Sequence, residues 1–386
     1  MIGAVPEDLW QRVRAFEPIV RAARAEAEAL RHLPDSVARA FAEAGIYKLV
    51  LPRDMGGMGL DPLAQFDLTE EVATYDGSVG WNFALGSNGG AMAGALRPEV
   101  AEEIFASGPA CAGSGPPQGR AVAVEGGYRV SGRWAWASGV HQAQWVLAGC
   151  FVFDGDAMRR GPTGLPVVIH ALFARDEIVL LDTWHTGGMR GTGSTEFTAS
   201  DVFVPEARTL SMFGAQPYHD DPIFRLPPSV FGFPLTAVPL GIARATVAAL
   251  GTLATTKPAA PPRPAMAEQP HVAYVVAKAG AMTEAARLGA REAFRRLWAE
   301  LVENREVALA TRAGLRAATV HAVEASVEAV QLCYRAAGGA ALFESQPFER
   351  ALRDVNAAAG HIVFQRAMME DCGRVQMGLP PTLPMF

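Results

Sequence analysis

Two short stretches hold the residues best suited to chemistry: Gly132-Arg133-Trp134-Ala135-Trp136-Ala137-Ser138-Gly139 and Thr183-Trp184-His185-Thr186-Gly187-Gly188-Met189-Arg190-Gly191-Thr192-Gly193-Ser194. Both emerge from strand-like sequence, both are rich in small and hydroxyl-bearing residues, and tryptophans flank both. Backbone N–H groups in such loops can approach a polar ring edge or a phosphate, while indole walls keep water off a flat redox ring. Two β-turns with core tryptophans beside them are the other reading. Arg190-Gly191-Thr192-Gly193-Ser194 joins an obligate cation to a glycine- and hydroxyl-rich loop, which suits a phosphate or pyrophosphate. A hairpin loop with a surface arginine is its alternative. The segment is neither a Walker loop nor a G-x-G-x-x-G dinucleotide fingerprint. His361 stands among Ala357-Ala358-Ala359-Gly360, where small neighbours leave room for a ligand; a plain packing or surface histidine fits the same pattern. Asp354, two turns earlier on the same helix face, lies about 10 Å away along the axis and out of direct reach.

The other histidines (His32, His141, His170, His185, His219, His271, His321) form no ligand spacing, so no metal site is expected. Cys111, Cys150, Cys333 and Cys372 are scattered and form no C-x-x-C pair, which points to reduced, buried thiols in a cytoplasmic protein. The net charge of −6 and the absence of a basic stripe argue against a nucleic-acid partner. No secretory signal and no membrane-spanning apolar run are read, so no membrane partner is expected.

These residues need a scaffold, and 386 residues, 50% of them hydrophobic, can build two or three units. Residues 6 to about 110 carry helical periodicity: Leu9, Val13, Phe16 and Val20, then Val37, Phe41 and Ile46, then Phe66 and Val72. Pro34-Asp35-Ser36 and Asp61-Pro62 read as helix starts. From about Ala110 to Pro205 the period changes to two, with a hairpin at Gly126-Gly127 and strands near Trp145–Phe153, Val167–Phe173, Ile178–Leu181 and Phe197–Val204. That is enough for a small barrel or sandwich. Helix returns after about Phe231, over Thr236–Thr255, Val272–Val302, Leu315–Ala337 and Pro347–Gly373. Val320, Val323, Val327, Val330 and Tyr334 form a bundle seam, and Gly338-Gly339 ends its helix. The proline-rich Lys257–Pro264 segment is a loop, either a lid or a surface linker.

This order of textures resembles the acyl-CoA dehydrogenase superfamily of flavoproteins. The resemblance rests on Leu51-Pro52…Gly56-Gly57, Trp136-Ala137-Ser138, Asp201-Val202-Phe203-Val204-Pro205, Gly338-Gly339…Glu344 and Phe348-Glu349-Arg350…Arg353-Asp354, which run in that order along the chain. It implies a mainly α fold with a central β-barrel: a helical N-terminal domain (1–110), a small β-barrel (111–210) and a C-terminal four-helix bundle (225–386). Trp81, Trp134/Trp136/Ser138, Asp182-Thr183-Trp184-His185 with Gly191–Ser194, and His361 resemble the group D flavin monooxygenases. That branch implies the oxygenase component of a two-component system. It would take reduced FMN or FAD from a separate NAD(P)H-flavin reductase and hydroxylate a small aromatic or heteroaromatic substrate with O2 through a flavin C4a-hydroperoxide. The expected assembly is a homotetramer.

By the same resemblance, Ser138 and Trp136 would lie along the flavin ring, with Ser138 at its N5/O4 edge. Arg190, Thr192, Gly193 and Ser194 would meet its phosphate. Gln331, Gly338 and Gly339 would reach the flavin of a neighbouring subunit; Gly338-Gly339 as a helix cap alone is the other reading. Trp81, Asn88 and His361 would bind substrate, and His361 would polarise a substrate hydroxyl or N–H. Two departures stand out. Several relatives have a histidine near Gly86-Ser87-Asn88-Gly89, whereas Asn88 cannot take a proton. The segment Gly360-His361-Ile362-Val363-Phe364 lacks the glutamate base of many acyl-CoA dehydrogenases. A dehydrogenase or related flavin oxidase is therefore the alternative, with Glu284, Glu292 or Glu303 as base. A flavoprotein-fold binding or scaffold protein without chemistry is a third reading, disfavoured by Arg190, Ser138 and His361.

Overall fold

Leu9, Val13, Phe16 and Val20 are all buried, as their spacing requires. They lie on α1 (Glu7–Arg14) and α2 (Phe16–Leu30). The computed structural model describes residues 2–105, 108, 111–211, 217–258, 264–383 and 386. Pro34 occupies the cap position of α3 (Asp35–Glu43), and Asp35 falls inside the first turn, so no side-chain cap forms there. Asp61 does cap α4 (Pro62–Tyr75): its carboxylate accepts the N–H groups of Leu63 and Ala64, each at 3.0 Å. Asp76 breaks the chain into extended conformation and caps α5 (Gly77–Asn88) through the Val79 N–H at 3.1 Å. The short α6 (Pro98–Phe105) completes this part.

The period-two region forms β1 (Cys111–Val124), β2 (Gly127–Trp134), β3 (Trp145–Asp154), β4 (Ala157–Met158), β5 (Val168–Ala174), β6 (Val179–Leu181), β7 (Glu196–Pro205) and β8 (Thr209–Leu210). They make one sheet in the order β6-β7-β2-β1-β3-β5-β8, with β4 on β3. β1 and β2 are the antiparallel hairpin, Val124 facing Gly127; β1 and β3 run parallel, with a register shift between Ser114 and Gly119. The sheet wraps a core of its own around Val130, Trp134, Val146, Phe173 and Phe197. Trp134 stacks on Phe197 at 5.1 Å and donates its indole N–H to the Gly149 carbonyl at 2.7 Å. β3 does not alternate. Leu147 points into a second cluster with Leu51, Ile104 and Leu172, so both faces of the strand are covered.

The bundle comprises α7 (Ala237–Thr256), α8 (Pro270–Asn304), α9 (Leu309–Ala337), α10 (Phe348–Ala359) and α11 (Arg366–Gln376). Val320, Val323 and Val330 of the expected seam are buried, while Val327 and Tyr334 are half-buried. Gly338, at φ +60, caps α9. Phe233–Thr256 corrects the expectation of no membrane-length apolar run: it is long and apolar enough to cross a membrane, but 56% of that window is buried inside the fold. A larger correction concerns the last helix. It is two helices, because the chain leaves helical geometry at His361 (φ −65°, ψ 142°), turns once over Ile362–Phe364 and restarts at Arg366. Gly360 weakens the helix there, and the turn drives Phe364 into the core beside Val330 and Val355. The N-terminal helices and the bundle share one core, in which Phe41, Phe66 and Phe83 cluster with Phe233, Phe294 and Leu297. Residues 259–263 of the proline-rich loop lie outside the described residues.

Candidate active site

Trp81 on α5 is the hub. Its indole Nε1–H donates to Ser138 Oγ at 3.2 Å, and its ring stands edge-on to His361, centroids 5.3 Å apart. One buried side chain thus links the sheet's Ser138 to the bundle's His361. From Ser138 a run of hydroxyls continues: Ser138 Oγ to Ser194 Oγ at 2.6 Å, Ser194 Oγ to Thr192 Oγ1 at 2.6 Å, and Thr192 Oγ1 to the Met189 carbonyl at 2.8 Å. Ser138, Thr192 and Ser194, named from sequence as separate contacts, are one buried chain. At Ala137–Gly139 the backbone donors are already used. The Ala137, Ser138 and Gly139 N–H groups go to the carbonyls of Thr195, Trp136 and Thr192. The loop presents its hydroxyl because its amides are already satisfied.

Trp136, at φ +68°, is 68% exposed and meets Trp184 edge-on at 5.7 Å. Within one chain it is a surface shelf, not a wall of a dry pocket. The glycines of the Arg190 loop serve close packing. A Cβ on Gly191 would meet Ser78 and Ala27, and one on Gly193, at φ +58°, would fall 2.8 Å from His32 and 2.9 Å from His141. Those two histidine rings stack at 4.3 Å, and burial beside His32 pushes His141 down to about 4. Arg190 turns toward α2: its Nε lies 3.3 Å from the Glu28 carbonyl and 3.4 Å from the Glu28 carboxylate, and Nη1 reaches the Thr186 carbonyl at 3.2 Å.

The Arg350/Arg353/Asp354 marker residues belong to the same cluster. Arg350 pairs with the buried Asp76 at 2.7 Å and approaches Glu28 at 3.5 Å and Asp354 at 3.6 Å; Arg353 donates to the Gly187 carbonyl at 2.6 Å. Asp354 accepts the Met189 N–H at 2.6 Å. Burial, with Asp76 close by, pushes its carboxyl up to about 7 against the pull of Arg350 and that N–H. α10 is thereby tied to the loop that ends the hydroxyl chain.

His361 is half-buried at the break between α10 and α11. Its Nδ1 accepts the Val363 N–H at 3.5 Å, which leaves the ring proton on Nε2. Burial pushes its pKa down to about 4, so the ring is neutral near pH 7. As a neutral imidazole it can offer Nε2–H as a hydrogen-bond donor.

An open cavity of about 740 Å³, mouth included, lies between α5 and the sheet. Leu85 and Asn88 line one side, Cys111–Gly113 and Gly115 the other, with Ser138, Leu147 and Phe231 between them. The β1 segment escaped sequence reasoning. Its signal was the small-residue run Ala112-Gly113-Ser114-Gly115 before Pro116-Pro117, at the register shift of β1. Asn82 was missed too: it donates to the Gly191 carbonyl at 3.2 Å and so ties α5 to the loop. Gly113 has no room for a Cβ, which would sit 2.3 Å from the Leu147 carbonyl, so bare backbone floors the slot. A shallow, largely apolar slot with one hydroxyl and one carboxamide at its rim fits a flat heterocycle such as a flavin ring. Gln331 is half-buried and Gly338 and Gly339 are exposed; no hydrogen bond or ring contact among the described residues joins them to this site. Glu284 and Glu292 sit on α8 paired with its own Arg287, Arg295 and Arg296, and Glu303 is exposed near the end of that helix. Pairing with Arg295 and Arg296 holds Glu292 down at about 2, the wrong direction for a base.

Family models described as acyl-CoA dehydrogenase N-terminal domain and acyl-CoA dehydrogenase C-terminal domain match residues 7–97 and 234–366. The chain is 30% identical to an indole-3-acetate monooxygenase of Pseudomonas putida, over 98% of this chain and 97% of that protein. It is 28% identical to the flavin-dependent monooxygenase oxygenase subunit HsaA of Mycobacterium tuberculosis, over 94% of each. A crystal structure of the M. tuberculosis HsaA monooxygenase superposes with a TM-score of 0.89 at 27% identity, covering 98% of this chain and 99% of that one. XiaF from Streptomyces sp., solved in complex with FADH2 and glycerol, superposes with a TM-score of 0.87 at 25% identity, covering 98% and 97%. The indole-3-acetate and HsaA relatives are named as monooxygenases, not as acyl-CoA dehydrogenases.

Proposed function

The chain belongs to the acyl-CoA dehydrogenase family, and from that premise we propose that it is the oxygenase component of a two-component flavin-dependent monooxygenase acting on a small aromatic or heteroaromatic substrate. One observation carries the reading: Trp81 joins Ser138, which lines a flavin-sized slot, to His361, a neutral imidazole on the far side of the indole. Reduced FMN or FAD, when bound, supplies two electrons to O2 at its C4a carbon, so that one oxygen atom passes to the substrate and the other leaves as water.

The chain's own residues do the rest. Ser138 meets the polar edge of the ring, and Cys111–Gly113 with Gly115 floor the slot. Trp136 and Trp184 form a shelf outside it. Arg190 holds the phosphate end, sharing its charge with Glu28; Thr192 and Ser194, expected there too, instead stand behind Ser138 in the hydroxyl chain. His361 Nε2–H and the Asn88 carboxamide hold the substrate's polar groups, and the Trp81 ring stands between His361 and Ser138. A separate NAD(P)H-flavin reductase delivers the reduced flavin, since the chain has no dinucleotide fingerprint. Buried cysteines outside any disulfide suit a cytoplasmic setting.

The assembly is a homotetramer, in which Gln331, Gly338 and Gly339 complete a neighbour's flavin site. Leu342 and Phe343, 69% and 65% exposed beside the Gly338 cap, are the apolar surface that such contact would cover. Light scattering at micromolar concentration should give the tetramer mass; a monomer refutes this arrangement. The functional reading is tested by anaerobic binding of reduced FMN or FAD, then mixing with O2. A long-lived absorbance transient distinct from oxidised flavin is expected. Tight oxidised flavin in the purified protein, with no such transient, would favour a dehydrogenase.

A further inference from the structure

On the premise that the slot holds a flavin ring with its N5 edge at Ser138, we propose that the Trp81–Ser138–Ser194–Thr192 chain makes the site selective for reduced flavin, by fixing Ser138 as a hydrogen-bond acceptor toward the ring. The protons of the chain can be counted. At one end the Trp81 indole N–H can only donate; at the other the Met189 carbonyl can only accept. Three hydroxyls with one proton each stand between them. Thr192 Oγ1 is 2.8 Å from the Met189 carbonyl, so its proton goes there. Ser194 Oγ lies 2.6 Å from Thr192 Oγ1, whose proton is committed, so Ser194 must donate. Ser138 Oγ, 2.6 Å from Ser194 Oγ, must donate in turn. Trp81 then supplies the N–H that Ser138 accepts at 3.2 Å. Any other assignment leaves lone pairs facing each other at hydrogen-bond distance.

An isolated serine rotates its proton to suit either a donor or an acceptor. Ser138 cannot: on this count its proton is committed to Ser194, so the hydroxyl of this slot-lining residue has only a lone pair to offer the ring. The reduced flavin ring carries an N–H at N5, where the oxidised ring has a bare lone pair. A lone pair on Ser138 receives the first and repels the second. The accepting end is held in place from behind. Met189 is a non-glycine residue at φ +53°, kept there by its N–H to the buried Asp354 carboxylate at 2.6 Å. Thr192 and Ser194 are therefore positioning residues: they act on the ring only through Ser138.

The test is binding, not turnover. Dissociation constants for reduced and oxidised FMN, and separately FAD, are measured anaerobically for the wild type, Thr192→Val, Ser194→Ala and Thr192→Ser. The wild type should prefer the reduced form by about tenfold or more. Thr192→Val keeps the side-chain shape and removes the hydroxyl, so Ser194 and Ser138 can turn; the preference should fall by about tenfold, mainly through tighter oxidised-flavin binding. Ser194→Ala should do the same, and Thr192→Ser should keep the preference. A preference unchanged in both Thr192→Val and Ser194→Ala, in proteins that melt like the wild type, overturns the inference and leaves the flavin site standing. Failure of the wild type to bind flavin in either state overturns the site reading and the inference together.

Discussion

On the sheet side of the site, Ser138 sits between two hydrogen bonds in a chain whose every proton has a direction. On the bundle side, the His361 ring has, among the described residues, one long hydrogen bond from the Val363 N–H and ring contacts with Trp81 and with Phe364 at 5.9 Å. The first wall is built from directed bonds among buried groups and has one arrangement. The second is built from packing around a helix break, with few directed bonds to hold it. A cofactor that is the same in every turnover suits the rigid wall; a substrate that enters and leaves suits the adaptable one.

The contrast breaks most sharply at His361. His361→Ala should lower hydroxylated product by about 10²–10⁴-fold, the range of a positioned acid–base group. Reduced-flavin affinity should stay near wild type, with the consumed O2 appearing as hydrogen peroxide. Intact product formation would make His361 a packing residue and confine the chemistry to the sheet wall. Next in size is Arg190. Arg190→Ala should weaken reduced-flavin binding about ten- to a hundredfold if its guanidinium reaches a phosphate. Glu28→Gln should tighten that binding, since it frees Arg190 from its present carboxylate. If Arg190→Ala lowers the melting temperature at constant affinity, Arg190 is only the tether of its loop to α2.

Stability should show the same asymmetry between the walls. Gly193→Ala puts a Cβ against His32 and His141 at φ +58°, and should cost roughly 1–3 kcal/mol by denaturant titration. Gly360→Ala, whose nearest contact would be the Ala357 carbonyl at 3.3 Å and whose φ is ordinary, should change stability by less than about 1 kcal/mol. Equal costs would contradict a rigid sheet wall and a tolerant break.

The smallest effect is in the pH profile. His361, held down at about 4, binds fewer protons folded than unfolded, so its contribution is lost as pH falls from about 6.5 toward 4. Asp354, raised to about 7, keeps a proton in the folded state that the unfolded chain has released; its contribution is lost as pH rises from about 4 through 7. Asp354→Asn should therefore flatten the decline of melting temperature across that rise, and His361→Ala should flatten the decline on the acid side. Profiles parallel to the wild type would show that neither group titrates as its burial requires.

Much of this scaffold was legible beforehand, because periodicity reports which face of an element is buried. Leu9, Val13, Phe16 and Val20 read as a helix face, and Val124 and Gly127 do flank the hairpin turn. The last helix misled because Ala357–Gly360 keeps helical composition up to the residue where Phe364 is drawn into the core. Composition is local; the apolar surface that takes up Phe364 comes from Val330 on α9 and Val355 on α10.

The amino-acid sequence by itself determined the order of helical unit, sheet and bundle, the two hydroxyl-bearing loops, and the presence of Ser138, Arg190, Thr192, Ser194 and His361. Each of these follows from residue types and short-range spacing. Only the tertiary structure decided that Trp81 bridges Ser138 and His361, that Arg190 faces Glu28, that Asp354 grips Met189, and that the three hydroxyls lie in one hydrogen-bonded chain. The reason is physical: a hydrogen bond's direction depends on which donors and acceptors lie within about 3 Å, and here they come from segments that meet only when the chain has folded.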